Sequence, residues 1–386
     1  MDAIDWGAAQ RVGELIAGTP PYGGVRATSV QPLAYDFARR VSAYSGLEPA
    51  SELPELEAVD RPTWIEANLK NMRPLLGALT ERVGEGTGLL AGPIRSASGF
   101  LLGTQVGALT GMLSQRVLGQ YDLALLDAEV PPRLLLLAPN LALAARQLAV
   151  DRDELVLWVS IHEITHAVQF SGAPWLREHL AGMLTELIEG LGVTMSGPSG
   201  SDHSEIEQGE HDGAASAANG AHGPKEGAAG QGPMPAGAGW PKLPDPAELR
   251  ALMERARRGE LLRLTLGDER WELVERMQAV MSLIEGHAEH TMDVIGAEVL
   301  PSLPRLRAAM TRRRETRGLP WRVLERLLGL ELKLRQYEVG RRFCDAVVSD
   351  GGPEALARAW SGPESLPSSA ELTAPELWLA RTGAAS

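Results

Sequence analysis

Between Asp151 and Ser171 the chain reads DRDELVLWVSIHEITHAVQFS, and no other stretch constrains the fold as strongly. Read as a helix, it places Leu155, Trp158, Val159, Ile161 and Val168 on nearly every side and leaves polar character at His162, Glu163 and His166. A helix that is apolar all round has to be buried. The rest of the chain must therefore wrap it, and its polar side chains must find partners inside, because each one left unpaired costs roughly 2–7 kcal/mol. Asp151 followed by Glu154 three residues later gives a capping-box-like start to this helix.

The surroundings read as mostly helical. Proline-marked turns separate expected helices at Asp5–Ala17, Pro32–Ser45 and Pro62–Gly86. Two short β-like runs, Tyr121–Leu126 and Arg133–Ala138, are spaced for a hairpin or small sheet. Asn140 is placed to cap a helix running to about Val150. Further helices are expected at Asp245–Arg258, Glu269–Asp293 and Pro320–Ala346, with Pro301 and Pro304 interrupting before the last. The tail carries two proline-marked turns and a short apolar segment at Leu377–Leu379.

Gly99, Gly103, Gly107 and Gly111 recur every fourth residue and leave a stripe without side chains along one helix face. Glycine costs a helix about 1 kcal/mol relative to alanine, so four in register need a compensating gain. Close approach of a second backbone supplies one. The same region, Ala97–Leu113, is the best membrane-span candidate, but it is short and contains Gln105. It falls below the roughly 20 apolar residues that a span requires, so a tightly packed core helix is expected and no membrane span.

Composition excludes other classes. A formal net charge of −13 argues against a nucleic-acid partner, which needs a basic face to displace counterions. The single cysteine, Cys344, rules out a disulfide or a cysteine-based metal site within one chain. The opening MDAIDWGAAQRVGELIAG lacks a basic n-region and a long apolar h-region, so no secretory signal is expected and a reducing cytoplasm is the expected compartment.

From 195 to 244 the composition shifts abruptly to Gly, Ala, Ser and Pro with few large apolar residues. Such a segment cannot bury enough surface to order itself and is expected to be a disordered insertion. Its His203, His211 and His222 lie among acids in an arrangement that chance accounts for. The chain then divides into 1–194, with the small sheet and the His162–His166 helix, the insertion, and 245–386, the two helical parts forming one composite fold.

His162-Glu163-Ile164-Thr165-His166 is the H-E-x-x-H pattern. Residues four apart on a helix stand about 40° apart around its axis with Cβ atoms about 6 Å from each other. Both imidazoles can therefore address one zinc ion at about 2.0–2.1 Å. Glu163 can reach a water activated at that ion without ligating it, the position of a general base. A catalytic zinc normally takes a third protein ligand. The densest cluster of ligand-type side chains outside the insertion is MSLIEGHAEHTMD at 281–293. On a helix, Glu285, Glu289 and Asp293 fall along one stripe, His287 points roughly opposite Glu285, and His290 lies off the stripe. Glu285 is thus the expected third ligand of a His₂Glu site holding one Zn²⁺, and Glu289 and Asp293 are candidates to orient a ligating histidine through its other N–H.

The pairing of SIHEITHAVQF with LIEGHAEHTMD resembles an actinobacterial-type zincin family called zinc-dependent metalloprotease, also labelled coenzyme F420 biosynthesis-associated protein. The similarity extends over Ile4-Asp5-Trp6, DRPTWIEANL at 60–69, SQRVLGQYDL at 114–123, LLLAPNL at 135–141, APWLREHL at 173–180, LLGLELKLRQYEVGRRF at 327–343 and the closing PELWLAR. It implies a mainly α fold with a small β-sheet, α+β and zincin-like, with a gluzincin-type metal centre. It implies no substrate, and nothing in these residues suggests a deazaflavin pocket. The chain departs from better-studied gluzincins in carrying Glu285-x-x-x-Glu289 where they carry Glu-x-x-x-Asp, and in a longer separation between the two motifs.

Hydrolysis also needs a donor facing the developing oxyanion, and His287, His290, Tyr121 and Tyr337 are the candidates. Arg133–Ala138 could be a sheet edge that receives an extended peptide, or an ordinary core strand. The leading expectation is a zinc metallopeptidase acting on a peptide or protein with Glu163 as general base. Hydrolysis of a non-peptide amide would use the same residues. The alternative is a non-proteolytic protein with a structural metal site or a binding role.

Overall fold

The computed structural model describes residues 3–18, 31–85, 92–195, 267–315 and 330–383. Its elements run α1 (Trp6–Ala17), α2 (Gln31–Ser45), β1 (Leu56–Val59), α3 (Arg61–Glu85), α4 (Gly92–Ser114), β2 (Gly119–Asp122), β3 (Arg133–Leu137), α5 (Ala138–Leu148), α6 (Arg152–Gly172) and α7 (Trp175–Met195). They continue with α8 (Asp268–Val299), α9 (Leu303–Glu315), α10 (Leu330–Ala357), α11 (Ser369–Thr373) and α12 (Pro375–Thr382). The fold is mainly α with one small three-stranded sheet. The expected insertion lies outside the described residues except for Met195, the last residue of α7. The expected helix at Asp245–Arg258 and the first ten residues of Pro320–Ala346 lie outside them too. Met1–Ser196 and Leu262–Ser386 gather into one compact unit.

That unit is built around α6. Asp151 caps it by accepting from the Glu154 N–H at 2.9 Å. The reciprocal half of the capping box is replaced: Glu154 turns its carboxylate to the N–H and hydroxyl of Ser302, tying the start of α6 to the turn before α9. Along α6 the residues from Leu155 to Gln169 are buried apart from Leu157 and His162, which are partly buried. α2, α5, α8, β2 and β3 pack against it. The helix apolar on all sides is therefore wrapped on all sides.

The sheet has the order β1-β3-β2, with β1 parallel and β2 antiparallel to β3. β3 reads as an unbroken run, RLLLL, because both of its faces are covered. Leu134 and Leu136 enter the core around α6, while Leu135 and Leu137 enter a second cluster with Ala9, Trp64 and Ile65. β3 is the middle strand, so of the two readings of Arg133–Ala138 it is the core strand, and the edges belong to its neighbours. β2 begins two residues earlier than the expected Tyr121 and ends at Asp122. Beyond it the Arg177 guanidinium takes the carbonyls of Ala124 and Asp127, pulling the chain out of register with β3. β1 was not expected; LEAV is too short and too mixed to stand out.

The glycine stripe is explained by α1. A Cβ at Gly99, Gly103, Gly107 or Gly111 would land on the carbonyl oxygen of Ala3, Asp5, Ala9 or Gly13. α1 and α4 thus lie backbone against backbone. No helix among the described residues is long and apolar enough to cross a membrane. Asn140 does not cap α5, which starts two residues earlier with Pro139 in its first turn. It is buried and stitches instead: Nδ2 donates to the carbonyls of Ser114 and Val117, and Oδ1 accepts from Arg61 Nε at 2.9 Å.

Candidate metal centre

α8 crosses α6 with Gly286 against α10, where Gly340 answers it; a Cβ on either would strike the other helix's backbone. That contact fixes the rotation of α8 and turns Glu285 toward His162 and His166. The two Nε2 atoms lie 3.2 Å apart, and Glu285 Oε2 lies 3.6 Å from His162 Nε2 and 3.5 Å from His166 Nε2. Four ligands at about 2.0–2.1 Å around a tetrahedral ion stand about 3.3–3.4 Å from each other. Three donor atoms at this spacing, two imidazole nitrogens and a carboxylate oxygen, fit a zinc ion, and the cluster could hold a metal. The side chains of His162, His166 and Glu285 are 22%, 11% and 17% exposed, so the cluster keeps one side toward solvent.

Gln169 orients His166. Its Nε2 donates to the Ile284 carbonyl at 2.9 Å, and a carbonyl can only accept, so the amide cannot be flipped. Oε1 must then accept from His166 Nδ1–H at 2.9 Å, leaving Nε2 as the nitrogen that faces Glu285. Gln169 Nε2 also reaches His287 Nδ1 at 2.9 Å, which makes that atom an acceptor. One of the two expected orienting residues, Asp293, does something else. It is engaged by Arg307 and Arg341. Sequence reasoning missed Gln169, although its place three residues after His166 puts it on the same helix face.

Burial pushes the His166 imidazole down, but the facing Glu285 carboxylate outweighs it and carries the group up to about 9. The same attraction holds Glu285 far below the ordinary carboxylate range against the opposite pull of its burial. Glu163 moves the other way: burial raises it, and the nearby imidazoles only partly offset this. Its Oε2 accepts from the Tyr121 N–H of β2 at 2.8 Å. Gly119, on the same strand, makes the approach possible; a Cβ there would sit 2.8 Å from Glu163 Cγ and Oε1 and from Val159 Cγ1.

The oxyanion-donor candidates are placed as follows. His287 is buried, packs its ring on Trp360 at 5.0 Å and is pushed down to about 3, chiefly by burial, so it is a neutral imidazole committed to Gln169. His290 is held at both nitrogens, by Asp345 and by the Tyr44 hydroxyl, each at 2.6 Å. Tyr121 stacks its ring on Phe170 at 5.7 Å. His290 therefore has no ring nitrogen left for the cluster, while His287 meets His166 through Gln169. The side chain of Tyr337 lies outside the described residues.

Among solved structures, the chain is similar to a crystal structure from Chloroflexus aurantiacus described as a candidate hydrolase with a novel fold. The two share 25% identity and a TM-score of 0.64, over 99% of this chain and 100% of the other. Comparison with curated proteins gives no match. The model of one protein family matches residues 4–379, which takes in β2, α6, α8 and every residue of the cluster. On that match over nearly its whole length, the chain belongs to the zincin-like metallopeptidase family.

Proposed function

We propose that this protein is a zinc-dependent metallopeptidase in which His162, His166 and Glu285 hold one zinc ion and Glu163 is the general base. The observation that carries this reading is the convergence of two Nε2 atoms and one carboxylate oxygen within 3.2–3.6 Å, beside a fourth side chain that is not part of the cluster. A zinc ion bound there supplies a Lewis-acidic centre that polarises a carbonyl and lowers the pKa of water toward neutrality.

The rest is work for the chain. Gln169 presents His166 with Nε2 forward. The Tyr121 N–H fixes one oxygen of Glu163 and leaves the other to take a proton from the attacking water. Burial raises the Glu163 carboxyl, so the proton it gains is held long enough to pass to the leaving amine. β2 is the edge strand that carries this hydrogen bond. Leu118 bonds to Leu137 across the sheet, so alternate residues 118, 120 and 122 face β3 while Gly119 and Tyr121 turn their backbone groups outward. The Tyr121 N–H is taken by Glu163, and an extended peptide can add to the outward groups that remain. The substrate in this reading is a peptide or protein.

The test is zinc content by elemental analysis beside cleavage of a peptide mixture for wild type, Glu163→Gln and Glu285→Ala. One zinc per chain is expected in wild type and Glu163→Gln, with cleavage in wild type alone and zinc lost or strongly weakened in Glu285→Ala. Full zinc in wild type with no cleavage of any peptide would turn the reading toward a metal-stabilised binding protein.

A further inference from the structure

We infer that Gln120 is a positioning residue for the proposed general base, acting through the strand that holds Glu163, an inference that rests on the peptidase reading above. β2 carries the Tyr121 N–H that fixes Glu163, and the side chains on either side of Tyr121 point the other way, onto α3. Gln120 Oε1 accepts from Trp64 Nε1 at 2.7 Å and from Asn68 Nδ2 at 3.4 Å. An indole N–H only donates, so the Gln120 amide has one orientation and its Nε2 is left to donate. That Nε2 donates to Asp122 Oδ1 at 2.8 Å and to Asn68 Oδ1 at 3.3 Å, and Asn71 Nδ2 reaches the same Asp122 oxygen at 2.8 Å. Trp64, Asn68 and Asn71 stand at i, i+4 and i+7, one face of α3, and form a polar ladder along β2.

The stretches DRPTWIEANL at 60–69 and SQRVLGQYDL at 114–123 meet in this ladder. The fold alone does not call for polar residues there. On the same side of the sheet, Trp64, Ile65 and Leu69 pack with Leu135 and Leu137 of β3 in an apolar cluster, which apolar residues at 120 and 122 would extend. Asp122 is buried instead, and burial raises its carboxyl against the opposing pull of Gln120, Arg133 and Asn71. A buried polar network of this kind adds little to stability over an apolar one, but it holds one geometry, because each partner left unpaired is costly. The geometry held here is the placement of β2 over α6. The strand pairs with β3 along one edge, and Asn140 pins the chain just before it at the carbonyls of Ser114 and Val117. The ladder fixes the far end, so the Tyr121 N–H meets Glu163 without the strand swinging away from the helix.

The experiment uses the zinc-loaded full chain carrying nitrogen-15 at its five tyrosines, in which the Tyr121 amide is assigned by its loss in Tyr121→Phe. Glu163→Gln, which removes the charge of the acceptor, gives the direction in which that amide proton moves when its bond weakens. Gln120→Leu, Asn71→Leu and Asp122→Leu should each move it the same way and speed its exchange with deuterium by about tenfold or more. In the same variants kcat for peptide cleavage should fall by about tenfold or more, with KM and zinc content unchanged. Asp122→Asn keeps the oxygen that both amides bond and should restore what Asp122→Leu loses. Asn71 is only partly buried, so its variant carries the test where Gln120→Leu does not fold. An unmoved Tyr121 amide in Asn71→Leu, a moved amide with kcat unchanged, or no rescue by Asp122→Asn overturns the inference. A wild type that cuts no peptide removes the peptidase instead, and the amide shift still decides whether the ladder holds Glu163.

Discussion

The main-chain N–H of Tyr121 donates to the Glu163 carboxylate at 2.8 Å, so a sheet edge and a buried helix meet at the proposed general base. Neither element could fix that carboxylate alone. The helix sets its depth and the strand sets its direction.

Gly119 is what lets the two elements meet. Gly119→Ala puts a methyl 2.8 Å from Glu163 Cγ and Oε1, and the carboxylate must swing away. Displacing a reacting group by about 1 Å costs on the order of 100-fold in rate. The expected outcome is a fall of kcat by ten- to a hundredfold with zinc content unchanged, read by peptide hydrolysis and elemental analysis. Loss of zinc in parallel would show that the glycine supports the cluster as a whole.

Gln169→Leu removes the group that orients His166 and the second donor to the Ile284 carbonyl, which lies within α8. Losing such a partner weakens metal binding by about 10–100-fold, and the lost hydrogen bond costs about 0.5–1.5 kcal/mol of stability. Competition with a chromophoric chelator measures the first and urea unfolding the second. Asp293→Asn, which touches Arg307 and Arg341 instead, should leave zinc affinity where it was.

Packing along the glycine stripe gives a paired prediction. Gly107→Val drives a side chain into the Ala9 carbonyl and forces α1 off α4, destabilising by about 3 kcal/mol or more. Gly77→Ala meets nothing within 4 Å in the middle of α3 and should gain about 0.5–1 kcal/mol. Both are read from urea midpoints, and a gain at Gly107 would mean α1 is not held by this face.

Near the C-terminus, burial pushes the Glu371 carboxyl up, but the Arg381 guanidinium and the Ser368 N–H and hydroxyl more than offset it and leave it lowered. A depressed carboxylate stabilises the fold above its unfolded pKa and loses that contribution as pH falls through the folded value. Glu371→Gln keeps the capping geometry of α11 and removes only the charge. Because Arg381 is 41% exposed, the pair is worth about 0.5–1 kcal/mol. Thermal unfolding should show that deficit at pH 7, shrinking once pH drops below about 4.5, where the unfolded carboxyl titrates, and gone below the lowered folded value. A deficit that does not shrink at all as the pH is lowered would point to shape instead of charge.

Local signals carried much of this structure. The apolar helix from 151 announced its own burial, the glycines at fourfold spacing announced a backbone neighbour, and MSLIEGHAEHTMD placed Glu285 where α8 brings it to the two histidines. What stayed hidden depends on contacts between distant segments. β1 is four residues long and exists because Leu134–Leu137 pairs with it. Asn140 looked like a cap because its type suits one, but its amide serves Ser114 and Val117 on another segment. His290 and Asp293 looked free to serve the cluster until α2, α9 and α10 supplied Tyr44, Arg307 and Asp345 as partners. A helical stripe tells which residues share a face, and only the neighbouring helices tell which face is used.

The bond from Gln169 to the Ile284 carbonyl spans 115 positions of the chain. Closing a loop of that size is an entropic loss that comes before any of its contacts can repay it, and such long-range pairings form late in folding. A nascent chain therefore emerges from the ribosome with both histidines but without the carboxylate that completes the trio. The trio cannot close on a metal until residue 285 has been made and α8 has docked on α6.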